Sequence, residues 1–218
     1  CSQGSGGPSG GQGARPGPPL GPPEPWEHEL LRLIAEQAAI PFDQLARFIV
    51  CGEVQAARVA RHLTKAGYAD YGRILSAEPH WLWLTARGSR LSGTGFPARS
   101  PRVGAIARMR AVNEVRLQIA RRAPGAGWVC GRSVVREQGK RGRRPNAVVE
   151  IGRERHAIVV KHGVPHEEGR EREIIETHMA RYDAVIYFAN PAPRAQLERL
   201  KREYHWPKLV IRAIPGPP

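Results

Sequence analysis

Three short apolar stripes at helical spacing follow one another closely near the start of the chain, and they limit how this part can fold. They occupy residues 26–38, 41–49 and 53–66, and each predicts an amphipathic helix. Pro41 suits the first turn of the second helix, and Gly67 suits the residue that ends the third. Because the connections are short, the helices must pack on one another as a three-helix core.

A β-hairpin is predicted directly after the third helix. Aromatic and β-favouring residues at positions 68–74 precede a polar turn at 76–80 and a second strand-like run, Trp81–Leu84. Thr85 can then cap a short closing helix. Three helices and a hairpin in this order are typical of a winged helix-turn-helix, which we place at residues 26–95.

The segments on either side of this unit differ from it in composition. Residues 1–25 consist mostly of Gly, Pro, Ser and Gln and cannot bury enough apolar surface to offset the entropy of ordering. We expect them to form a disordered tail. Residues 96–104, which are rich in Pro, Ser and Arg, are predicted to be a linker.

Strands alternate with helices in the rest of the chain, which we assign to a second domain at residues 105–214. Helical spacing is found at 106–122, 167–181 and 194–204, and strand-like runs at 128–135, 147–151, 156–160, 184–189 and 208–214. This alternation predicts an α/β sandwich with a mixed sheet. The expected fold class is therefore α+β in the first domain and α/β in the second.

The balance of charge makes nucleic acid the first partner to consider. The chain has 34 Lys and Arg residues against 20 Asp and Glu, a net charge of +14, which favours a polyanionic partner. A GC-rich genome can produce the same arginine bias without selection for binding, so charge alone does not decide the function.

Membrane and zinc partners are not expected. No apolar run approaches the roughly 20 residues that span a bilayer. The three cysteines form no C-x-x-C pair and no Cys/His cluster at zinc spacing, and no apolar leader opens the sequence. These features predict a cytoplasmic protein without zinc.

The third helix offers a polar face that suits the reading of double-stranded DNA. This face consists of Gln55, Arg58, Arg61, His62 and Lys65. Arginine can bond bidentately to guanine, and glutamine to adenine, from a helix in the major groove. We further expect Arg73 and His80 of the hairpin to contact phosphate or the minor groove.

Other interpretations of this face stay open. Basic side chains on an amphipathic helix are often only its solvated side, and some winged helices bind protein instead of DNA. The sequence also leaves a homodimer open.

A basic stretch in the second half of the chain is predicted to contact phosphates. It comprises Arg132, Arg136, Lys140, Arg141, Arg143 and Arg144. Only Glu137 opposes these charges, while Gly139 and Gly142 allow flexibility. The alternative is a solvated, disordered run of charge.

Four segments of the second half carry a resemblance to a known family. They are Arg144-Pro-Asn-Ala-Val-Val-Glu150, Arg155-His-Ala-Ile-Val-Val-Lys161, Ala111-Val-Asn-Glu-Val-Arg116 and Arg181-Tyr-Asp-Ala-Val-Ile-Tyr-Phe188. With the winged helix in front, residues 26–214 resemble the replication-relaxation family of actinobacterial and other bacterial plasmids and mobile elements. The resemblance implies a C-terminal restriction-endonuclease-like domain with a mixed sheet. It also implies a nucleoid- or plasmid-associated protein that acts in replication, maintenance, transfer or transcriptional control.

The same resemblance implies a metal-dependent nuclease site, from which this sequence departs. In active members an acidic residue follows the proline and another stands two before the lysine, because a divalent metal needs hard oxygen ligands. Here Asn146 follows the proline, and Val159 stands two before Lys161. Glu114, Glu150 and Lys161 are then relics of a dead nuclease, a displaced catalytic site or ordinary ion-paired residues. We therefore predict a DNA-binding protein that is not an enzyme and needs no cofactor, the alternative being a nuclease that uses Mg²⁺ or Mn²⁺.

Overall fold

The computed structural model describes residues 23–139 and 143–216 of the chain. Most of the predicted tail lies outside these ranges, as do Lys140 and Arg141 of the predicted basic stretch. Within them, eight helices and eight strands form a mixed α/β structure with two sheets. None of the helices in these ranges is both long and apolar enough to cross a membrane.

The N-terminal unit combines four helices with a three-stranded sheet. Its elements are α1 (Pro25–Gln37), β1 (Ala39–Pro41), α2 (Phe42–Phe48), α3 (Glu53–Lys65), β2 (Ala69–Gly72), β3 (Trp81–Leu84) and α4 (Ala86–Leu91). Strand β3 lies in the centre and pairs antiparallel with both β1 and β2. The predicted helices and hairpin are present, whereas the three-residue strand β1 was not predicted.

Local sequence accounts for the ends of these helices. The Glu27 carboxylate accepts a hydrogen bond of 2.7 Å from the Glu24 amide, so Glu24 and Pro25, which the sequence assigned to the tail, form the start of α1. Thr85 caps α4 as predicted, since its hydroxyl oxygen accepts from the Gly88 amide at 3.1 Å.

The C-terminal unit is built on a five-stranded mixed sheet. Its elements are α5 (Val103–Arg122), β4 (Gly127–Cys130), α6 (Gly131–Gln138), β5 (Ala147–Ile151), β6 (Glu154–Lys161), α7 (Glu168–Met179), β7 (Ala184–Ala189), α8 (Pro191–Tyr204) and β8 (Leu209–Ala213). The strand order is β4-β5-β6-β7-β8. Strands β4, β5 and β6 pair antiparallel, while β6, β7 and β8 run parallel and are connected by α7 and α8.

One predicted strand is wrong in its second half. The run at 128–135 begins as β4, but the chain turns into helix α6 at Gly131. Strand β5 begins at Ala147, which pairs with Cys130, so a longer β4 would have no partner there. The β-branched pair Val134 and Val135 favours a strand in sequence. In the structure, however, Val134 is buried on helix α6, which packs against the sheet.

Helices cover both faces of the five-stranded sheet. Val115 of α5 packs on one face against Val149 and Ile158. On the other face α6, α7 and α8 enclose a second core, which includes Ile175 and Leu197. The result is a three-layer arrangement with a single helix, α5, on the side that faces the N-terminal unit.

Helix α5 packs against the N-terminal unit as well as against the sheet. Ile106 of α5 contacts Ala39 and Trp81 of the three-stranded sheet in one apolar cluster. The helix begins at Val103, inside the predicted linker. The segment between the two units therefore leads directly into a helix that both units share.

Candidate nucleic-acid interface

Most of the predicted DNA-reading residues lie on one exposed face of α3. Ala56, Ala60 and Leu63 are fully buried, which turns Gln55, Arg58, Arg61 and Lys65 outward. At ~100° per residue, the predicted face spans an arc of roughly 120° on the helix surface. No carboxylate in the described ranges lies within 4 Å of the three cations of this face. Arg58, Arg61 and Lys65 thus present positive charge without an ion pair to any described residue.

His62 has a partner that the sequence did not reveal. Its Nε2 lies 2.6 Å from Oε1 of the buried Glu27, and its ring centroid is 5.8 Å from that of Trp26. Both partners lie on α1, so the contact ties α3 to α1. His62 is exposed, but its Nε2 already contacts Glu27 of α1.

The two predicted hairpin contacts also differ from each other. Arg73 is exposed in the connection between β2 and β3. His80 instead packs into an aromatic cluster, with its ring centroid 5.7 Å from Phe42 and 5.8 Å from Tyr71. Arg73 is therefore the better placed of the two for a phosphate contact.

Two arginines of the predicted basic stretch hold the connection between the units in place. Arg132 of α6 donates to the carbonyls of Ala35 and Pro97, both at 2.7 Å. Arg136 donates to the Thr94 carbonyl at 2.7 Å. Both guanidinium groups lie over the Phe96 ring, at 4.5 and 5.1 Å from its centroid. These contacts make the predicted linker an ordered part of the unit boundary.

The remaining described members of the basic stretch divide between two roles. Arg144 donates to the carbonyls of Gln138 at 2.9 Å and Gly139 at 3.2 Å, where α6 ends. Positive side chains stabilise a helix C-terminus in this way. Arg143 is exposed. Burial lowers the pKa of Lys161, and the charge of Arg143 adds to that effect.

Glu114, a predicted catalytic candidate, belongs to a buried network between α5 and α2. Its Oε1 accepts hydrogen bonds from Gln44 at 2.8 Å and from Arg47 at 2.6 Å. Gln44 also accepts from Asn113 at 3.0 Å, and Asn113 donates to the Ala39 carbonyl at 3.3 Å. Only 4% of Glu114 is exposed. The carboxylate therefore serves the contact between the two units and faces no open cleft.

Glu150 and Lys161 lie at opposite ends of a strand pair. Glu150 pairs in register with Arg155, and the two side chains form an ion pair of 3.2 Å. Lys161 stands six residues further along β6, which is about 20 Å away at the usual rise of a strand. The structure does not bring Glu114, Glu150 and Lys161 together.

Lys161 has a different acidic partner, Glu171 of α7, which was not predicted from the sequence. The Lys161 ammonium contacts the Glu171 carboxylate, whose side chain is buried. Burial also raises the pKa of the neighbouring Tyr187, and the Glu171 charge acts in the same direction. Helical spacing is the sequence signal that could have revealed Glu171 as a buried residue. It shares the buried stripe of α7 with Ile174, Ile175 and His178.

The residues at the position where the resemblance implies a metal site do not fit a divalent cation. Asn146 Oδ1 accepts a hydrogen bond of 2.7 Å from the Val160 amide, which ties the start of β5 to β6. Val159 is buried and has no oxygen to offer. Within the described ranges, no three His, Cys, Asp or Glu side chains are close enough to share a metal ion.

Comparisons with known proteins add little to this picture. No protein family model matches the sequence, and no curated protein matches it. Among solved structures, protein VC1899 from Vibrio cholerae is similar with a TM-score of 0.31 and 10% sequence identity. The similarity covers 85% of this chain and 47% of that one, so the chain spans about half the length of that protein. A TM-score and a sequence identity this low do not support an inference about fold or function.

Proposed function

We propose that this chain binds double-stranded DNA and that its N-terminal unit acts as a winged helix-turn-helix with α3 as the recognition helix. The observation that carries the proposal is the exposed face of Gln55, Arg58, Arg61 and Lys65, which no described carboxylate neutralises. A helix of 13 residues is about 20 Å long and can enter the major groove.

The antiparallel pair β2 and β3 would act as the wing. It follows α3 directly, and Arg73 is exposed in the connection between its strands. A phosphate contact there would add affinity and fix the orientation of α3 without specifying sequence.

We further propose that the C-terminal unit is a restriction-endonuclease-like domain that binds DNA without cleaving it. Its mixed sheet with helices on both faces supports the fold. The hydrogen bond of Asn146 to the Val160 amide and the burial of Glu114 between helices support the loss of catalysis. Arg143, which is exposed, is the described residue of the basic stretch that we expect to contact the DNA backbone.

The double variant Arg58→Ala/Lys65→Ala tests the proposal directly. We expect it to bind a duplex selected by the wild-type chain about 5- to 100-fold more weakly at fixed salt, because neither truncated side chain can reach a base or a phosphate. Fluorescence anisotropy across a salt series measures both the affinity and its salt dependence. The slope of log affinity against log salt should flatten by about one for each phosphate that the variant no longer neutralises.

A matched control separates a specific contact from the removal of charge. Arg194 and Lys208 are exposed in the C-terminal unit, and no ion pair joins either to a described residue. The variant Arg194→Ala/Lys208→Ala removes the same charge and should bind DNA like the wild-type chain. Equal binding by the α3 variant and the wild type, or an equal weakening in the control, would contradict the proposal.

A further inference from the structure

A cleft of 590 Å³ lies where the N-terminal unit, the connecting segment and the C-terminal unit meet. Its walls come from the end of α1, residues 96–99, the first half of α5, β4 and α6. Clefts of this volume at the boundary between structural units commonly hold small ligands. The cleft is separate from the exposed face of α3.

Positive charge dominates the lining of this cleft. Four arginines contribute to it, namely Arg99, Arg108, Arg132 and Arg144. Arg132 and Arg144 bond to backbone carbonyls, and none of the four lies within 4 Å of a described carboxylate. Burial lowers the pKa of Arg132, and the charge of Arg99 adds to that effect.

The acid that lines the cleft does not offset this charge. Glu36 pairs with Arg32 at 3.2 Å and with Arg116 at 2.9 Å. Neither arginine is one of the four that dominate the cleft. A bound anion would therefore give Arg99 and Arg108 an acidic partner that the described residues do not supply.

Two hydrogen-bond donors in the same lining have no acceptor. Gln37 is 7% exposed, and its Nε2 has no partner among the described residues. The indole Nε1 of Trp128 is likewise buried and unpaired in the described part of the chain. Buried donors of this kind are costly to leave unsatisfied. Both nitrogen atoms are closed off from the open cleft by the surrounding side chains, so they add no polar surface to it.

The lining also offers apolar surface. Met109 and Val112 of α5 face the cleft together with Pro145. We propose that the cleft binds a small phosphorylated ligand with an apolar ring, of the size of a mononucleotide. Arginines favour phosphate because their planar fork can bond two of its oxygens, while the apolar wall suits the face of a ring.

Calorimetric titration with the 5′-monophosphates of adenosine, guanosine, cytidine and thymidine tests this proposal. We expect at least one of them to bind in the micromolar range. The corresponding nucleoside and inorganic phosphate should each bind at least about tenfold more weakly, since each lacks one of the two recognised parts. Absence of binding by all four at millimolar concentration would overturn the proposal. Equal binding of inorganic phosphate would overturn the role of the ring.

A double variant locates the ligand in the cleft. Arg99 and Arg108 are exposed, so Arg99→Ala/Arg108→Ala should fold normally and bind the nucleotide about 10- to 100-fold more weakly, as expected for two charged bonds. Unchanged affinity in the double variant would contradict the location.

Controls keep this site distinct from the proposed DNA interface. Arg194→Ala/Lys208→Ala should bind the nucleotide like the wild-type chain, and so should Arg58→Ala/Lys65→Ala. A loss of nucleotide binding in either control would contradict a site in the cleft. The nucleotide result does not depend on whether the chain binds DNA.

Discussion

The Glu114 carboxylate stabilises the contact between α5 and α2, where Gln44 and Arg47 both donate to the same oxygen atom. Glu114→Ala would leave the Arg47 guanidinium without its carboxylate and the Gln44 amide without one acceptor. We expect the free energy of unfolding to fall by about 3–5 kcal/mol, as for other buried pairs from which one partner is removed. Urea unfolding followed by circular dichroism measures this change.

Glu150→Ala is the matched control for that variant. Glu150 is partly exposed and pairs with Arg155 at the surface, so its removal should change stability by no more than about 1 kcal/mol.

Both variants and the wild type should leave supercoiled plasmid intact in Mg²⁺ or Mn²⁺. Plasmid cleavage by the wild type that Lys161→Ala abolishes would contradict the proposal that the chain is not a nuclease.

Single residues show which parts of the candidate site can be predicted from the sequence and which cannot. The outward direction of Gln55, Arg58 and Lys65 follows from helical periodicity, because the apolar stripe fixes the opposite side. The bond of His62 to Glu27 joins residues 35 positions apart, and the contacts of Arg132 join residues 97 and 35 positions apart. Such partners depend on how the helices pack, which local spacing does not encode.

At the scale of elements, the position of α4 depends on how closely the backbone of Gly88 approaches the backbone of Tyr68. A Cβ atom on Gly88 would lie 1.9 Å from the Tyr68 carbonyl oxygen, which Thr85 also engages at the start of the helix. Gly88→Ala must therefore push α4 away from the hairpin. We expect it to lower the free energy of unfolding by about 1–3 kcal/mol, the usual cost of overpacking.

Gly104 of α5 gives the comparison for that variant. A Cβ at Gly104 meets nothing within 4 Å, so Gly104→Ala should raise the free energy of unfolding by about 0.4–1 kcal/mol through helix propensity and unfolded-state entropy. Thermal denaturation of the two variants side by side measures the contrast. A Gly88→Ala chain as stable as Gly104→Ala would show that α4 does not depend on this approach.

Elements were predictable where a repeating pattern runs long enough to be recognised. Strand β7 lies where its apolar run predicted it, and α3 has its expected stripe. Strand β1 has only three residues, all buried, and so shows no alternation. The end of β4 is set by its partner strand, which begins at Ala147. Neither feature has a signature in its own residues.

At the scale of the whole molecule, α5 makes the two units depend on each other. It buries Val115 against the five-stranded sheet and Ile106 against Trp81 of the smaller sheet. Asn113 and Glu114 add hydrogen bonds to the N-terminal unit from the same helix. Separating the units would expose both the apolar contacts and this polar network, so we infer that they unfold together.

A cavity made far from the boundary tests this inference. Leu197 of α8 is buried in the core on the side of the sheet away from α5. Leu197→Ala should lower the global free energy of unfolding by about 2–5 kcal/mol. If the molecule is one cooperative unit, protection of the slowest-exchanging amides of α1 and β3 in the N-terminal unit must fall by the same amount as that of β6 and β7.

Hydrogen exchange followed by mass spectrometry measures protection in both units of the same sample. Wild-type protection in α1 and β3, with a decrease confined to β6 and β7, would show that the N-terminal unit folds on its own and that the boundary contacts are weak. An equal decrease would mean that the two units unfold as one cooperative structure. A duplex bound on α3 and a nucleotide bound in the cleft would then each stabilise the same folded structure, and their effects on the free energy of unfolding would be linked through it.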